Sequence, residues 1–131
     1  MKNSEDSLYP GDWKKIAGKD LERVSRNLRE NDLEAAAFFL QQALEKYLKA
    51  FLLEQGWKLE KVHVLPNLLD RAVNYLPELE AFRELCERVG DYYFIERYPQ
   101  LVPLGLEPED LQKDLQQAKQ FIEAMFPNRL V

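Results

Sequence analysis

The sequence predicts an all-α protein, an up-and-down antiparallel bundle of four to five helices. Apolar residues recur at intervals of three and four in several segments, which is the periodicity of a helix with one buried face. Prolines and glycines separate these segments, and none alternates apolar and polar residues as a strand does. We expect a flexible N-terminal arm over residues 1–11 and a single bundle domain over residues 12–131.

The first two helices are the longest apolar-periodic segments. The first is predicted over residues 12–29, with Asp12 as its N-cap. The second is capped by Asn31, runs to about Gln55 and stops at Gly56.

Prolines mark the starts of the later helices. A third helix is predicted over residues 66–76, a fourth over residues 78–97 and a last one over residues 108–126. Two prolines and a glycine predict a loop over residues 99–107.

The second helix is apolar most of the way round, which predicts that it is the central helix of the bundle or also lines a subunit interface. Phe39 and Leu53 carry apolar surface around its back, and this predicts a homodimer. One narrow stripe of the helix is polar, and it consists of Gln41, Gln42, Glu45, Lys46 and Lys49.

Composition excludes several classes of function. The chain has 18 Lys and Arg against 23 Asp and Glu, a net charge of −5, which argues against a duplex-DNA binder. With one cysteine and one histidine, it can form neither an intrachain disulfide nor a His/Cys metal site, and we predict no cofactor. We expect a cytoplasmic protein, because the N-terminal residues resemble no secretory signal. The longest apolar-rich stretch, residues 33–53, also contains too many charged and polar residues to span a membrane.

The polar stripe is the first candidate site. Glu45 and Lys49 stand four residues apart, in the order that favours an ion pair on a helix. On spacing alone, a solvated face with a surface ion pair is the favoured interpretation. The alternative is a cationic groove in which Lys46 and Lys49 donate hydrogen bonds to a phosphate.

Further candidates lie in the connectors. Arg97 either complements the end of the fourth helix or holds a phosphate or carboxylate, and Tyr98 either joins the core or stacks on a base. His63 is expected to make a local hydrogen bond before the third helix. A Cys86–His63 dyad is disfavoured, because Cys86 falls on an apolar stripe where a thiol stays protonated.

Three segments resemble the HEPN family. Residues 36–50 resemble its signature helix, typically "aqQA.EkalKa", and residues 61–65 resemble its "THdL" connector. Residues 96–99 resemble its "RYP" ending of the fourth helix. With the first helix, the resemblance covers about residues 12–126.

The resemblance implies a bundle of four or five antiparallel helices that is often homodimeric. HEPN proteins are frequently encoded beside a minimal nucleotidyltransferase, and such pairs behave as two-component or toxin–antitoxin systems. Some members bind nucleotides. Many others are metal-independent ribonucleases with an Arg-x4-6-His motif.

The ribonuclease motif is absent here. His63 is the only histidine, and the positions where the arginine would stand hold Gly56, Trp57 and Lys58. Near Arg97, where the family's motif belongs, there is no histidine. Val64 also replaces the family's usual aspartate in the connector. The general acid or base is thus missing, and we lean towards a protein that is not an enzyme.

Three interpretations follow. In the first, the protein is a non-catalytic subunit that binds a nucleotide, a partner nucleotidyltransferase, or both. In the second it is a ribonuclease toxin with a degenerate motif, acting on RNA, and in the third a structural dimerisation module. For the first interpretation, the predicted binding residues are Gln42, Lys46, Lys49, His63, Arg97 and Tyr98.

Overall fold

A computed structural model describes residues 8–92 and 106–127. These residues contain five α-helices and one 3₁₀ helix, and no strand, so the predicted all-α bundle is confirmed. In chain order the elements are α1 (Pro10–Arg29), α2 (Leu33–Glu54), α3 (Leu65–Val73), the 3₁₀ helix (Pro77–Phe82), α4 (Arg83–Gly90) and α5 (Pro108–Met125).

Helix α1 begins two residues before the predicted start. Tyr9 is its N-cap residue and Pro10 occupies the first turn, where a missing N–H costs nothing. Asp12, predicted to be the cap, instead lies inside the first turn. A carboxylate there still complements the positive end of the helix dipole.

The turn between α1 and α2 corrects a second predicted cap. Asn31 adopts a left-handed conformation with φ of 59° and ends α1. The Asn31 N–H donates to the carbonyl of Leu28, and the Asp32 N–H donates to that of Asn27. These two bonds are the Schellman pattern that closes a helix. Asp32 is therefore the N-cap of α2, and its Oδ1 accepts a hydrogen bond of 3.2 Å from the Ala35 N–H.

Gly56 ends α2 as predicted. Its φ is 90°, and the N–H groups of Gly56 and Trp57 donate to the carbonyls of Leu53 and Leu52. A left-handed residue is required at this position, and glycine adopts that conformation without strain. Residues 57–64 then run without helix to α3.

The third and fourth helices are shorter than predicted. Helix α3 ends at Val73, although Leu76 still packs against the core from the loop. The segment predicted as one helix over residues 78–97 begins as a tight 3₁₀ turn and becomes α-helical only from Arg83 to Gly90. A 3₁₀ turn is common at the start of an α-helix. Residues 93–97 lie outside the described part.

Helix α5 agrees with its prediction. Pro108 stands in the first turn, after the N-cap residue Glu107. The Glu107 side chain and the Asp110 side chain each accept a hydrogen bond from the backbone of the other, which is a capping box.

Helix α2 is the centre of the bundle, as its apolar surface predicts. It contacts α1, α3, α4 and α5. Its buried residues lie around most of its circumference, and they include polar ones as well as the aliphatic core. One face, with Phe39, Gln42 and Lys46, is only partly buried. Phe39 and Leu53 pack partly buried against the core of their own chain. In the described part of the chain, no helix is both long and apolar enough to cross a membrane.

Candidate functional site

The polar stripe of α2 lies against α1 and the connector, and this corrects the interpretation that it is a solvated face. Gln41, Glu45 and Lys49 are 1%, 6% and 3% exposed. Helix α1 packs along α2, and His63 reaches over the stripe from the connector. We call the resulting group the α1–α2 polar seam. It consists of Asp20, Arg23, Gln41, Gln42, Glu45, Lys46, Lys49 and His63.

Glu45 is the anchor of the inner half of the seam. Its Oε2 lies 2.9 Å from Lys49 Nζ and 2.8 Å from His63 Nδ1, while its Oε1 accepts 3.1 Å from Gln41 Nε2. The Lys49 ammonium also lies 5.2 Å from the centre of the Trp13 ring, within reach of a cation–π contact. A buried carboxylate needs such partners, because an unpaired buried charge is costly.

His63 is oriented by Glu45. Its Nδ1 lies 2.8 Å from Glu45 Oε2 and donates to that carboxylate when it carries the ring proton. Lys49 Nζ is 3.0 Å from the same nitrogen. The side chain of His63 is 61% exposed, and its Nε2 is left for solvent or a ligand. The prediction that His63 makes a local hydrogen bond is wrong, because its partner Glu45 lies 18 residues away on α2.

Asp20 is the anchor of the outer half. Lys46 Nζ lies 2.6 Å from its Oδ2, and Arg23 Nη1 lies 2.8 Å from its Oδ1. Asp20 itself is buried, whereas the side chains of Lys46 and Arg23 are 18% and 42% exposed. The Arg23 guanidinium also sits 5.5 Å from the centre of the Phe39 ring.

The charges of the seam do not cancel. Three cations, Arg23, Lys46 and Lys49, face two carboxylates, Asp20 and Glu45, which leaves one positive charge in excess. The excess lies on the exposed side, because Lys49 is buried against Glu45 while Arg23 and Lys46 share one carboxylate. In a chain of net charge −5, this is a local site of the opposite sign.

A third buried carboxylate lies outside the seam, on α5. Asp114 of α5 is 2% exposed, and its Oδ1 accepts from Nε and Nη2 of Arg88 at 2.9 and 2.8 Å. Its Oδ2 accepts 2.7 Å from the Tyr92 hydroxyl. The hydrogen bond that Arg88 donates to Asp114 raises the pKa of Arg88, and burial raises the pKa of Tyr92.

Sequence reasoning missed Asp20, Arg23 and Asp114. Asp20 stands in the buried stripe of α1 with Ala17 and Val24, and Asp114 stands in the buried stripe of α5. A charged residue at a core position of an amphipathic helix is the signal that finds them, since it needs a buried partner.

The remaining candidates are placed as follows. Cys86 is fully buried, and burial raises the pKa of its thiol to about 12, which keeps it protonated and unreactive. Arg97 and Tyr98 lie outside the described residues. Across residues 8–92 and 106–127, His, Cys, Asp and Glu nowhere form a group of three or more that could hold a metal ion.

Comparisons with known proteins agree with this architecture. The family model of the HEPN domain matches residues 11–129. The crystal structure of TT1696 from Thermus thermophilus is similar, with a TM-score of 0.73, 26% sequence identity, and coverage of 88% of this chain and 94% of that chain. A search of curated proteins found no match. The chain belongs to the HEPN domain family.

Proposed function

We propose that this HEPN protein binds a nucleotide at the α1–α2 polar seam and acts beside a partner minimal nucleotidyltransferase, without catalysing a reaction itself. The observation that carries the binding site is the single excess positive charge of the seam, exposed at Arg23 and Lys46. Such a site attracts a phosphate group, and both residues present N–H donors for it.

In this proposal the seam residues divide the work. Arg23 and Lys46 contact the phosphates. Gln42, which is half-buried on α2, and His63 contact the polar parts of the ligand. Lys49 positions Glu45 and His63 from below, because its ammonium is buried and already paired. Arg97 and Tyr98 remain predicted contacts.

The proposed partner and assembly are those that the resemblance to the HEPN family implies. A nucleotidyltransferase would supply the catalytic carboxylates and the metal, in a toxin–antitoxin-like pair. The chain would itself form a homodimer in the cytoplasm. Co-expression with a candidate nucleotidyltransferase, and light scattering of the purified protein at micromolar concentration, test the two assemblies.

Nucleotide binding is tested by calorimetric titration with ATP and GTP. We expect saturable binding that Lys46→Gln weakens by about tenfold or more, because a charge-assisted hydrogen bond contributes roughly 1.5–3 kcal/mol. Lys19→Gln is the matched control, since it removes an exposed lysine of α1 outside the seam. If neither ATP nor GTP gives a heat of binding, the proposed nucleotide binding is overturned, and the protein is a dimerisation or partner-binding module.

The ribonuclease alternative is tested with the same preparation. Purified protein incubated with single-stranded RNA, with and without Mg²⁺, should leave the RNA intact. Cleavage that co-purifies with the protein and is lost in His63→Asn would support the ribonuclease instead.

A further inference from the structure

A groove lies where the 3₁₀ helix and α4 meet α5. Its volume is about 340 Å³. This is at the lower end of the range for small-molecule sites. We call its apolar lining residues, Ala81, Phe82 and Leu85, the floor, and its polar lining residues, Glu84, Arg88, Gln117 and Gln120, the rim.

The floor of the groove offers a flat aromatic surface. The ring of Phe82 is stacked on that of Phe121, with centroids 4.8 Å apart and planes inclined by 23°. Phe121 is fully buried, so it supports Phe82 from the core, while Phe82 is only half-buried and lines the groove. A ring held in this way is a platform on which another ring can stack.

The rim offers hydrogen bonds in a fixed arrangement. Arg88 is locked by Asp114 through Nε and Nη2, and Nη2 also donates 3.0 Å to Gln117 Oε1. These contacts use Nε and Nη2 and none of them uses Nη1, which carries two further N–H donors. Gln117 and Gln120 stand three residues apart on the exposed face of α5, and their carboxamides can both donate and accept.

The charges of the groove select against polyphosphates. Asp114 neutralises the Arg88 cation, and Glu84 adds a negative charge to the rim. A ligand matched to this groove is therefore uncharged and planar, with hydrogen-bonding atoms along its edge. A nucleobase has these properties, and the purines have the larger stacking face.

We propose that this groove binds the purine base of a nucleoside, with the base stacked on Phe82 and its edge bound by Arg88, Gln117 and Gln120. The inference goes beyond nucleotide binding at the seam, because it requires no seam residue and no phosphate. Guanine O6 and N7 suit the donors of Arg88, and adenine N6 and N7 suit a carboxamide.

The test is calorimetric titration of the full chain with adenosine and guanosine, which carry no phosphate. We expect saturable binding, weaker by several-fold for cytidine. Gln117→Ala combined with Gln120→Ala should weaken it about tenfold, while Gln116→Ala, an exposed residue of α5 outside the groove lining, should leave it unchanged. Phe82→Leu should weaken it by about 5- to 150-fold, the range expected for the loss of base stacking.

Three outcomes would overturn the proposal. They are absence of saturable binding of both purine nucleosides, equal affinity for cytidine, and unchanged affinity in the Gln117/Gln120 double variant. The double variant keeps the test decisive if Phe82→Leu unfolds, because both glutamines are exposed. Lys46→Gln separates the two sites, since it should weaken ATP binding and leave adenosine binding unchanged.

Discussion

Lys46 Nζ lies 2.6 Å from Oδ2 of Asp20, joining α2 to α1 across 26 residues of sequence. Arg23 donates to the other oxygen of the same carboxylate. One buried acid thus holds two partly exposed cations in place, so Asp20 controls both the packing of the two helices and the charge that an anion meets.

Asp20→Asn should therefore change stability and binding in opposite directions. We expect a loss of roughly 1–3 kcal/mol in the free energy of unfolding, because the two cations lose their shared carboxylate. We also expect tighter ATP binding, since the excess charge of the seam rises from one to two. Urea unfolding and calorimetry measure the two effects. Glu22→Gln, an exposed acid of α1, is the control, and weaker ATP binding in Asp20→Asn would contradict the assignment.

Lys49→Ala should destabilise the protein by about 3 kcal/mol. The change leaves the buried Glu45 carboxylate without its ammonium partner and removes the contact with Trp13. Denaturant unfolding followed by circular dichroism measures the loss. Lys19→Ala should stay within about 0.5 kcal/mol of the parent, as exposed substitutions usually do. A similarly small effect of Lys49→Ala would show that this ion pair contributes little.

The two residues of the α1–α2 turn should respond differently to substitution. Asp32→Ala removes the side-chain cap of α2 and should cost about 1 kcal/mol. Asn31→Gly should preserve stability or raise it slightly, because glycine adopts the left-handed conformation without strain. Thermal unfolding of both variants distinguishes them. A larger loss for Asn31→Gly than for Asp32→Ala would assign the cap to Asn31.

Cys86 should be unreactive in the folded protein. With its pKa raised to about 12 by burial, the thiol should not react with a disulfide reagent at pH 8 until the chain unfolds in guanidinium. The folded state holds the thiol proton more tightly than the unfolded state, whose pKa is near 9. Stability is thus unaffected by this group below pH 9 and falls as the pH rises from 9 towards 12. Rapid stoichiometric labelling of native protein would contradict the burial.

The fold was predictable because each helix carries its own periodicity and its own stop signals. Gly56 marks the end of α2 and Pro108 marks the start of α5. Both signals are local properties of the backbone and can be recognised without knowledge of the rest of the chain. Asn31 and Asp32 illustrate the limit of this reasoning. Both residues suit a cap, and only the shared turn decides that Asn31 closes one helix while Asp32 opens the next.

The site was harder to predict because burial is a property of the assembled bundle. The polar stripe of α2 has the sequence of a solvated face, and only the packing of α1 and the connector covers it. Asp20 and Lys46 form an ion pair across two helices, and no spacing within either helix reveals it. The polar stripe in the sequence identifies Lys46 as a candidate binding residue, whereas its partner Asp20 is identified only by the structure.

The burial of α2 around most of its circumference also governs how the protein opens. Peptide N–H groups in the middle of α2 have neighbouring helices around them, so no local fraying exposes them to solvent. We expect these amides to exchange with deuterium only when the whole domain unfolds, and those of the connector over residues 57–64 to exchange much sooner. The slowest amides in the chain would then report the global free energy of unfolding directly, and any ligand of the folded protein would slow them further.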